Sequence, residues 1–201
     1  MTGLEFFVEE ESMKVFLQGV LPRIIGKRPH TIHAHRGKYD LLKKLQVRLQ
    51  VLAQDVNTHI VILVDCDSDD CHTLKSKLEK IVSDAGFVTK SAAKGERFRV
   101  LNRIVIEEFE AWYFGDWDAV RLAYSAAPKT LSRRKFGNPD AIHGGTWEAF
   151  ERIMRKAGFY RSGLRKIEAA RRISAHFNPD NNTSKSFQVF RDGLKHMIGQ
   201  E

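Results

Sequence analysis

Cysteine is scarce in this chain: 201 residues hold two, Cys66 and Cys71. Two thiols are too few for a structural zinc site, and no disulfide framework can be built on them, which fits a reducing cytoplasm. Long apolar runs are missing as well. The longest purely aliphatic run is the five residues from Ile60 to Val64, well short of the roughly 20 that span a bilayer. The N-terminus carries acid where a secretory leader carries base. The expectation is a cytoplasmic protein with no signal peptide and no membrane span.

The most informative stretch is IVILVDCDSDD, residues 60 to 70. Its five apolar residues, four of them β-branched, read as a strand buried on both faces, and such strands belong to parallel sheets. Asp65 and Asp67 fall where the strand should end. Side chains alternate along a strand, so two residues two apart project together from its tip. Side-by-side carboxylates repel, and a divalent cation relieves that repulsion. The stretch therefore reads as a metal site.

Charge is unevenly placed. The chain carries a net +8, and between Arg121 and Phe177 thirteen Lys and Arg face four Asp and Glu. An acidic site in one part and a basic field in another suits an enzyme acting on a polyanion. The same excess also suits solvated helix faces, and charge alone does not choose between the two.

In chain order, residues 4 to 10 read as a first strand with Glu9 at its tip. Ser12 opens a helix whose stripe runs from Met13 to Ile24, ended by Gly26 and Pro29. A second strand spans His30 to Arg36. Gly37 and Lys38 then turn into a helix carrying Leu42, Leu45, Leu49 and Leu52, where a basic side chain and backbone N–H groups can hold a phosphate. After the central strand, Asp70 caps a helix through Leu74, Leu78 and Val82. Phe87–Ala92 is a plausible strand, and Arg99–Ile106 is a better one because it is richer in β-branched residues. It leads into EEFEAWYFGD, where Glu110 again places a carboxylate after a strand. The stretch from Ser125 to Gly145, rich in Lys, Arg, Gly and Pro, reads as a mobile substrate loop. Helices over 147–157, 163–177 and 184–198 complete the chain. Alternating strands and helices predict an α/β fold, a mainly parallel sheet flanked by helices, organised as a catalytic domain over 1–120 and a basic helical extension over 121–201 packed on it.

In such sheets ligands bind at one edge, in the crevice where neighbouring connections leave to opposite sides. If the strands ending at Glu9 and Asp65 are neighbours there, three carboxylates from distant positions meet. Within the basic field, Arg133, Arg134, Arg165 and Arg172, with Lys38 and Lys185, are candidates for nucleic-acid contact, and Lys166 or Lys185 for charge stabilisation at a reacting phosphate.

A strand ending in Val8-Glu9 followed by one ending in Asp65-Cys66-Asp67 resembles the TOPRIM domain shared by topoisomerases, DnaG-type primases and OLD-family nucleases. Phe109-Glu110-Ala111-Trp112 resembles the Phe-Glu-x-Trp element of RloB-like TOPRIM proteins of bacterial phage-defence loci, often encoded beside an ABC-type ATPase. The segment NPDNNTSKSF, 178–187, is more loosely similar to the same group. The resemblance implies that Asp65 and Asp67 hold Mg²⁺ or Mn²⁺ and that Glu9 binds metal or acts as general acid/base. Glu110 and Asp69 would be further ligands in a two-metal site. It implies DNA or RNA as substrate and an ABC-type ATPase as partner, and leaves room for a homo-oligomer. One departure stands out: many TOPRIM domains follow the first glutamate with Gly, and here Glu10 takes that place, which leaves the backbone at Glu9 to be explained.

Three rival readings remain. An EF-hand loop needs Gly at its sixth position and Glu at its twelfth, where this chain has Asp70 and Ser76, so it fails. A haloacid-dehalogenase-type phosphatase also puts Asp-x-Asp at a strand end, but usually on the first strand. A non-catalytic basic module binding nucleic acid or an ATPase is the serious alternative. Glu107 and Glu108 are expected as exposed acids of a first helical turn, and Trp112 and Trp117 as packing residues.

Overall fold

The computed structural model describes residues 3–67 and 69–199. Four parallel strands, β1 (Gly3–Val8), β2 (His30–Ala34), β3 (Thr58–Asp65) and β4 (Val100–Val105), lie in the order β2-β1-β3-β4. The first half of the chain adds α1 (Glu11–Val20), α2 (Pro22–Ile25), α3 (Lys38–Leu52) and α4 (Cys71–Asp84). The second adds α5 (Ala111–Gly115), α6 (Trp117–Ala123), α7 (Arg133–Phe136), a 3₁₀ turn at Pro139–Ala141, α8 (Thr146–Lys156), α9 (Lys166–Ser174) and α10 (Lys185–Ile198).

β3 is central, paired with β1 on one side and β4 on the other, and Ile60 to Val64 are fully buried. That is the environment the unbroken β-branched run anticipated. Its alternate residues feed two cores. Phe7, Ile60, Ile62 and Val64 pack beneath α3 and α4 through Leu41, Leu45, Leu49, Leu74 and Leu78. Phe6, Val8, Val61 and Leu63 face the other way, into a larger core with α1 and the helices after β4. Residues from both sides of position 120 thus complete one hydrophobic cluster, from Phe16 and Phe109 to Phe177 and Phe190.

Because α1 leaves β1 toward one face and α4 leaves β3 toward the other, the β1/β3 junction is a topological switch point. The two strands the sequence placed as conditional neighbours are hydrogen-bonded neighbours, with Val8 level with Leu63.

The sequence reading needs correction in three places. Phe87–Ala92 is not a strand: a single bridge joins Thr89 to Val100. The Thr89 hydroxyl accepts a bond from the Ala92 N–H at 3.1 Å and bends the chain away, so local hydrogen bonding overrides propensity. The helix expected from Ser12 to Ile24 is two helices, with Pro22 opening the second. The basic stretch 125–145 is partly tied down, for Asp140 accepts from the Ser184 hydroxyl at 2.7 Å and the Ser186 N–H at 3.0 Å.

Candidate active site

Glu9 follows the last residue of β1 and Asp65 ends β3, so pairing sets them side by side at the carboxyl edge. The Asp65 N–H donates to Glu9 Oε2 at 3.2 Å. Asp65 is 7% exposed, and its Oδ1 is buried with no hydrogen-bond partner. Burial, then the nearby charges of Glu110, Glu9 and Asp67, holds its pKa well above the usual carboxylate range. Glu9 is raised as well, by burial and then Asp67, with Lys38 working the other way. Glu10 has φ −144° and ψ 165°, an extended conformation open to any residue. No glycine is required there, and its absence does not disturb Glu9.

Glu110 arrives from β4. The ladder continues past the strand ends, with the Cys66 N–H donating to Val105 O at 2.7 Å and the Asp67 N–H to Glu107 O at 2.8 Å. Glu107 takes φ +58°, and the chain reverses into α5 behind it. Glu110 is 1% exposed, and neither carboxylate oxygen accepts a well-aligned hydrogen bond. Burial pushes its pKa up to about 8 in spite of Lys166, whose ammonium lies 3.3 Å from Oε1. Lys166, the first residue of α9, also lies 3.7 Å from Glu10 Oε1 and sits over the Trp147 ring at 5.5 Å. Burial works against its charge, but Glu110 and Glu10 outweigh it and its pKa is raised.

Asp67 and Asp69 sit on the outer side of the crevice, about half exposed. Lys38 Nζ bridges them at 2.9 and 2.6 Å and donates to Cys66 O at 3.2 Å. Burial opposes that ammonium, but the hydrogen bonds it donates to Asp69 and Asp67 raise its pKa. Lys38, expected as a phosphate contact, is thus engaged by the site's own acids. Asp67 has φ +49°, a conformation that costs a non-glycine residue free energy and clusters at functional sites. Ser68, between the two acids, lies outside the described residues. The Cys66 and Cys71 sulfurs, free thiols sharing a hydrogen bond at 2.8 Å, flank the loop, and burial followed by the bond to Cys71 pushes the Cys66 thiol up to about 12.

Glu9, Asp65, Asp67, Asp69, Glu110 and Lys166 therefore share one edge. Among the described residues, however, no three His, Cys, Asp or Glu side chains close on one point as a metal-binding group. The remaining basic candidates are dispersed. Arg133, Arg134 and Lys185 are exposed. Arg165 is exposed and paired with Glu168 at 3.4 Å. Arg172, also exposed and 3.7 Å from Glu168, donates to Ala123 O at 2.7 Å and covers the Tyr124 ring at 4.2 Å.

Two features escaped the sequence reading. Glu108 is not a free acid of a helical turn: its Oε2 accepts from the Thr146 and Trp147 N–H groups and the Thr146 hydroxyl, capping α8. The second is a clamp on the Phe109-Glu110-Ala111-Trp112 element. Asn182 donates to Trp112 O at 2.8 Å, the Thr183 N–H to Gly115 O at 2.9 Å, and the Asn178 N–H to Asp116 Oδ2 at 2.6 Å. Asn-Pro-Asp occurs twice, at 138–140 and 178–180. In each, the Asn side chain accepts from the Asp N–H, and this turn signal was available to find the clamp.

Comparison with known families settles the relationship. The family described as a domain of unknown function, DUF4276, matches residues 8–195. The chain belongs to the DUF4276 family. No curated protein matches the sequence. Among solved structures, this DUF4276 chain is similar to the C-terminal region of the Xanthomonas campestris pv. campestris OLD protein, with a TM-score of 0.54 at 12% identity, over 98% of this chain and 94% of that one. The C-terminal region of the Burkholderia pseudomallei OLD protein gives the same TM-score and identity, over 98% of each chain. The fold is the TOPRIM fold of the OLD C-terminal region, as the order of Glu9, Asp65-Cys66-Asp67 and Glu110 implied.

Proposed function

We propose that this DUF4276 protein is a divalent-metal-dependent phosphodiesterase of TOPRIM type, a nuclease acting on DNA or RNA as an effector of anti-phage defence. The observation that carries the reading is the pair of buried carboxylates at this edge: Asp65, whose Oδ1 has no hydrogen-bond partner, and Glu110, which has the Lys166 ion pair but no well-aligned hydrogen bond. Burying a carboxylate without partners is costly, and a fold keeps such groups where a ligand meets them. An all-oxygen donor set of this kind suits Mg²⁺ or Mn²⁺. Asp65, Asp67 and Glu110 would hold the ion, with Glu9 and Asp69 as further donors. When bound, the metal supplies an activated water and stabilisation of the leaving oxygen.

The chain's own residues would do the rest. Glu9, raised by burial and by Asp67, is suited to hold and release a proton. Lys166 keeps its ammonium charged beside Glu110, where it can stabilise negative charge on a phosphate. Arg133, Arg134, Arg165 and Lys185 offer exposed cations to the flanking backbone. An ABC-type ATPase as partner and a cytoplasmic setting belong to the same proposal, as does a division into a catalytic part over 1–120 and a basic extension over 121–201.

A second reading, a basic binding module without catalysis, is favoured by one observation: Lys38 already neutralises Asp67 and Asp69. One experiment separates the two. Mg²⁺ and Mn²⁺ are titrated into the wild type and an Asp65→Asn, Asp67→Asn double variant, reading thermal stability and cleavage of supercoiled DNA and total tRNA. The nuclease reading expects a metal-dependent rise in Tm and cutting by the wild type alone. Absence of any metal response would leave the binding module.

A further inference from the structure

We infer that the groove between the first turns of α3 and α4 is a nucleobase site, taking one unpaired base of a polynucleotide whose phosphate lies at the carboxylate cluster. This rests on the phosphodiesterase reading for the position of the phosphate, but not for the groove itself.

Tyr39 is 79% exposed, and among the described residues it is the only Phe, Trp or Tyr in the exposed class. Every other described Phe, Trp and Tyr is buried or half-buried. It forms one side of a cavity of about 440 Å³, with Leu42 and Leu74 as apolar wall and Lys77 at the margin. That volume falls within the roughly 300–1,000 Å³ of small-ligand sites, which are likewise apolar with a few polar groups at the rim.

The remaining wall includes Lys38 and Asp69, which also belong to the acidic cluster. Groove and cluster are therefore contiguous, one residue pair apart. The chemistry selects the occupant. A flat π-system fits between a tyrosine ring and leucine side chains, as in single-strand binding proteins. The Asp69 carboxylate can accept from an exocyclic amine. Lys77, exposed and without an ion pair among the described residues, can take the next phosphate. The helices after β4 pack on the opposite face of the sheet, leaving this side open to a passing strand.

A base inside a duplex cannot reach such a groove without leaving its stack. The substrate class is therefore a single strand, or a duplex that offers an unpaired base.

The test measures binding by fluorescence anisotropy in EDTA, so that nothing is cut. A labelled single-stranded 12-mer is compared with an abasic strand of the same length and charge and with the 12-mer as a duplex. The expected result is that the base-bearing single strand binds roughly tenfold more tightly than the abasic strand and than the duplex. Tyr39→Ala should remove that preference while leaving abasic affinity unchanged, and Tyr39→Phe should retain it. Equal affinity for base-bearing and abasic strands, or a preference that survives Tyr39→Ala, overturns the proposal. The two failures are separable. A base preference without metal-dependent cutting keeps the groove and removes the hydrolase, whereas cutting without a base preference does the reverse.

Discussion

Replacing Glu110 by Gln should change how the stability of the metal-free protein depends on pH. Glu110 is 1% exposed and its pKa rises from 4.5 to about 8. Between those values the folded state holds its proton and the unfolded state does not, so folding is proton-linked and stability falls as pH rises. The stabilising condition is fully present below pH 4.5 and is lost as pH climbs through about 8. At about 1.4 kcal/mol per pH unit, the difference between pH 5.5 and pH 7.5 is roughly 2–3 kcal/mol. Gln keeps the shape of the protonated acid and cannot ionise, so this part of the slope should vanish. Asp65 and Glu9, also raised by burial, contribute in the same direction in both proteins and largely cancel in the comparison. Since Glu110 is the largest charge acting on Asp65, the difference also contains their coupling. Urea unfolding in EDTA at the two pH values measures it. Parallel pH dependences for wild type and Glu110→Gln would refute the assignment of a buried carboxylate with a raised pKa to this position.

The other predictions concern the clamp and the basic face. A Cβ at Gly115 would collide with the Asn182 side chain that holds Trp112 O. Gly115→Ala should therefore cost about 1–3 kcal/mol in urea unfolding, as overpacking does, and a neutral result would show that Asn182 is free to move. Arg172→Ala should lose about 1–2 kcal/mol of stability, from its bond to Ala123 O and its contact with Tyr124. Arg165→Glu should leave stability within about 0.5 kcal/mol while flattening the salt dependence of polyanion binding. A destabilised Arg165→Glu, or an unchanged salt slope, would remove Arg165 from the binding face.

What was legible in the sequence follows from how local each signal is. Ile60–Val64 announces a doubly buried strand through its own side chains, and Asp65 at its end needs no other segment to be recognised. Glu9 was legible for the same reason, standing directly after a run with strand character, whereas Glu110, four residues beyond the strand read at Arg99–Ile106, was singled out by the Phe109-Glu110-Ala111-Trp112 element. Long-range pairing was not. Lys38 and Asp67 are far apart in the chain, and they meet only because the turn after β2 crosses the end of β1, where the Gly37 N–H donates to Glu9 O, and so reaches the end of β3. Arg172 looks like any surface arginine until the Tyr124 ring is found beneath it. Thr89 sits in a segment of fair β propensity, and nothing nearby says that its hydroxyl will turn the chain.

The clamp explains why an acid can be held in the core at all. A buried carboxylate that has one ion pair, to Lys166, and no well-aligned hydrogen bond still costs stability when ionised, so the surrounding structure has to supply more than it loses there. The element carrying Glu110 is fixed from several sides. Ser186 Oγ accepts from the Ile106 N–H at 3.2 Å and the Trp112 indole at 3.4 Å, so one hydroxyl ties the end of β4 to α5. Trp112 stacks on Phe190 of α10 with ring centroids 5.5 Å apart and meets Phe187 edge-on. Asp140 caps the start of α10 from the basic stretch, and the segment ahead of α10 holds the carbonyls of Trp112 and Gly115. Apart from the Asp140 cap, each contact joins the last quarter of the chain to the stretch from Ile106 to Gly115 that carries Glu110. The position of that carboxylate, and with it the proposed chemistry, depends on α10 being folded, which gives a physical role to the polar segment 178–187 that the family resemblance marked without explaining.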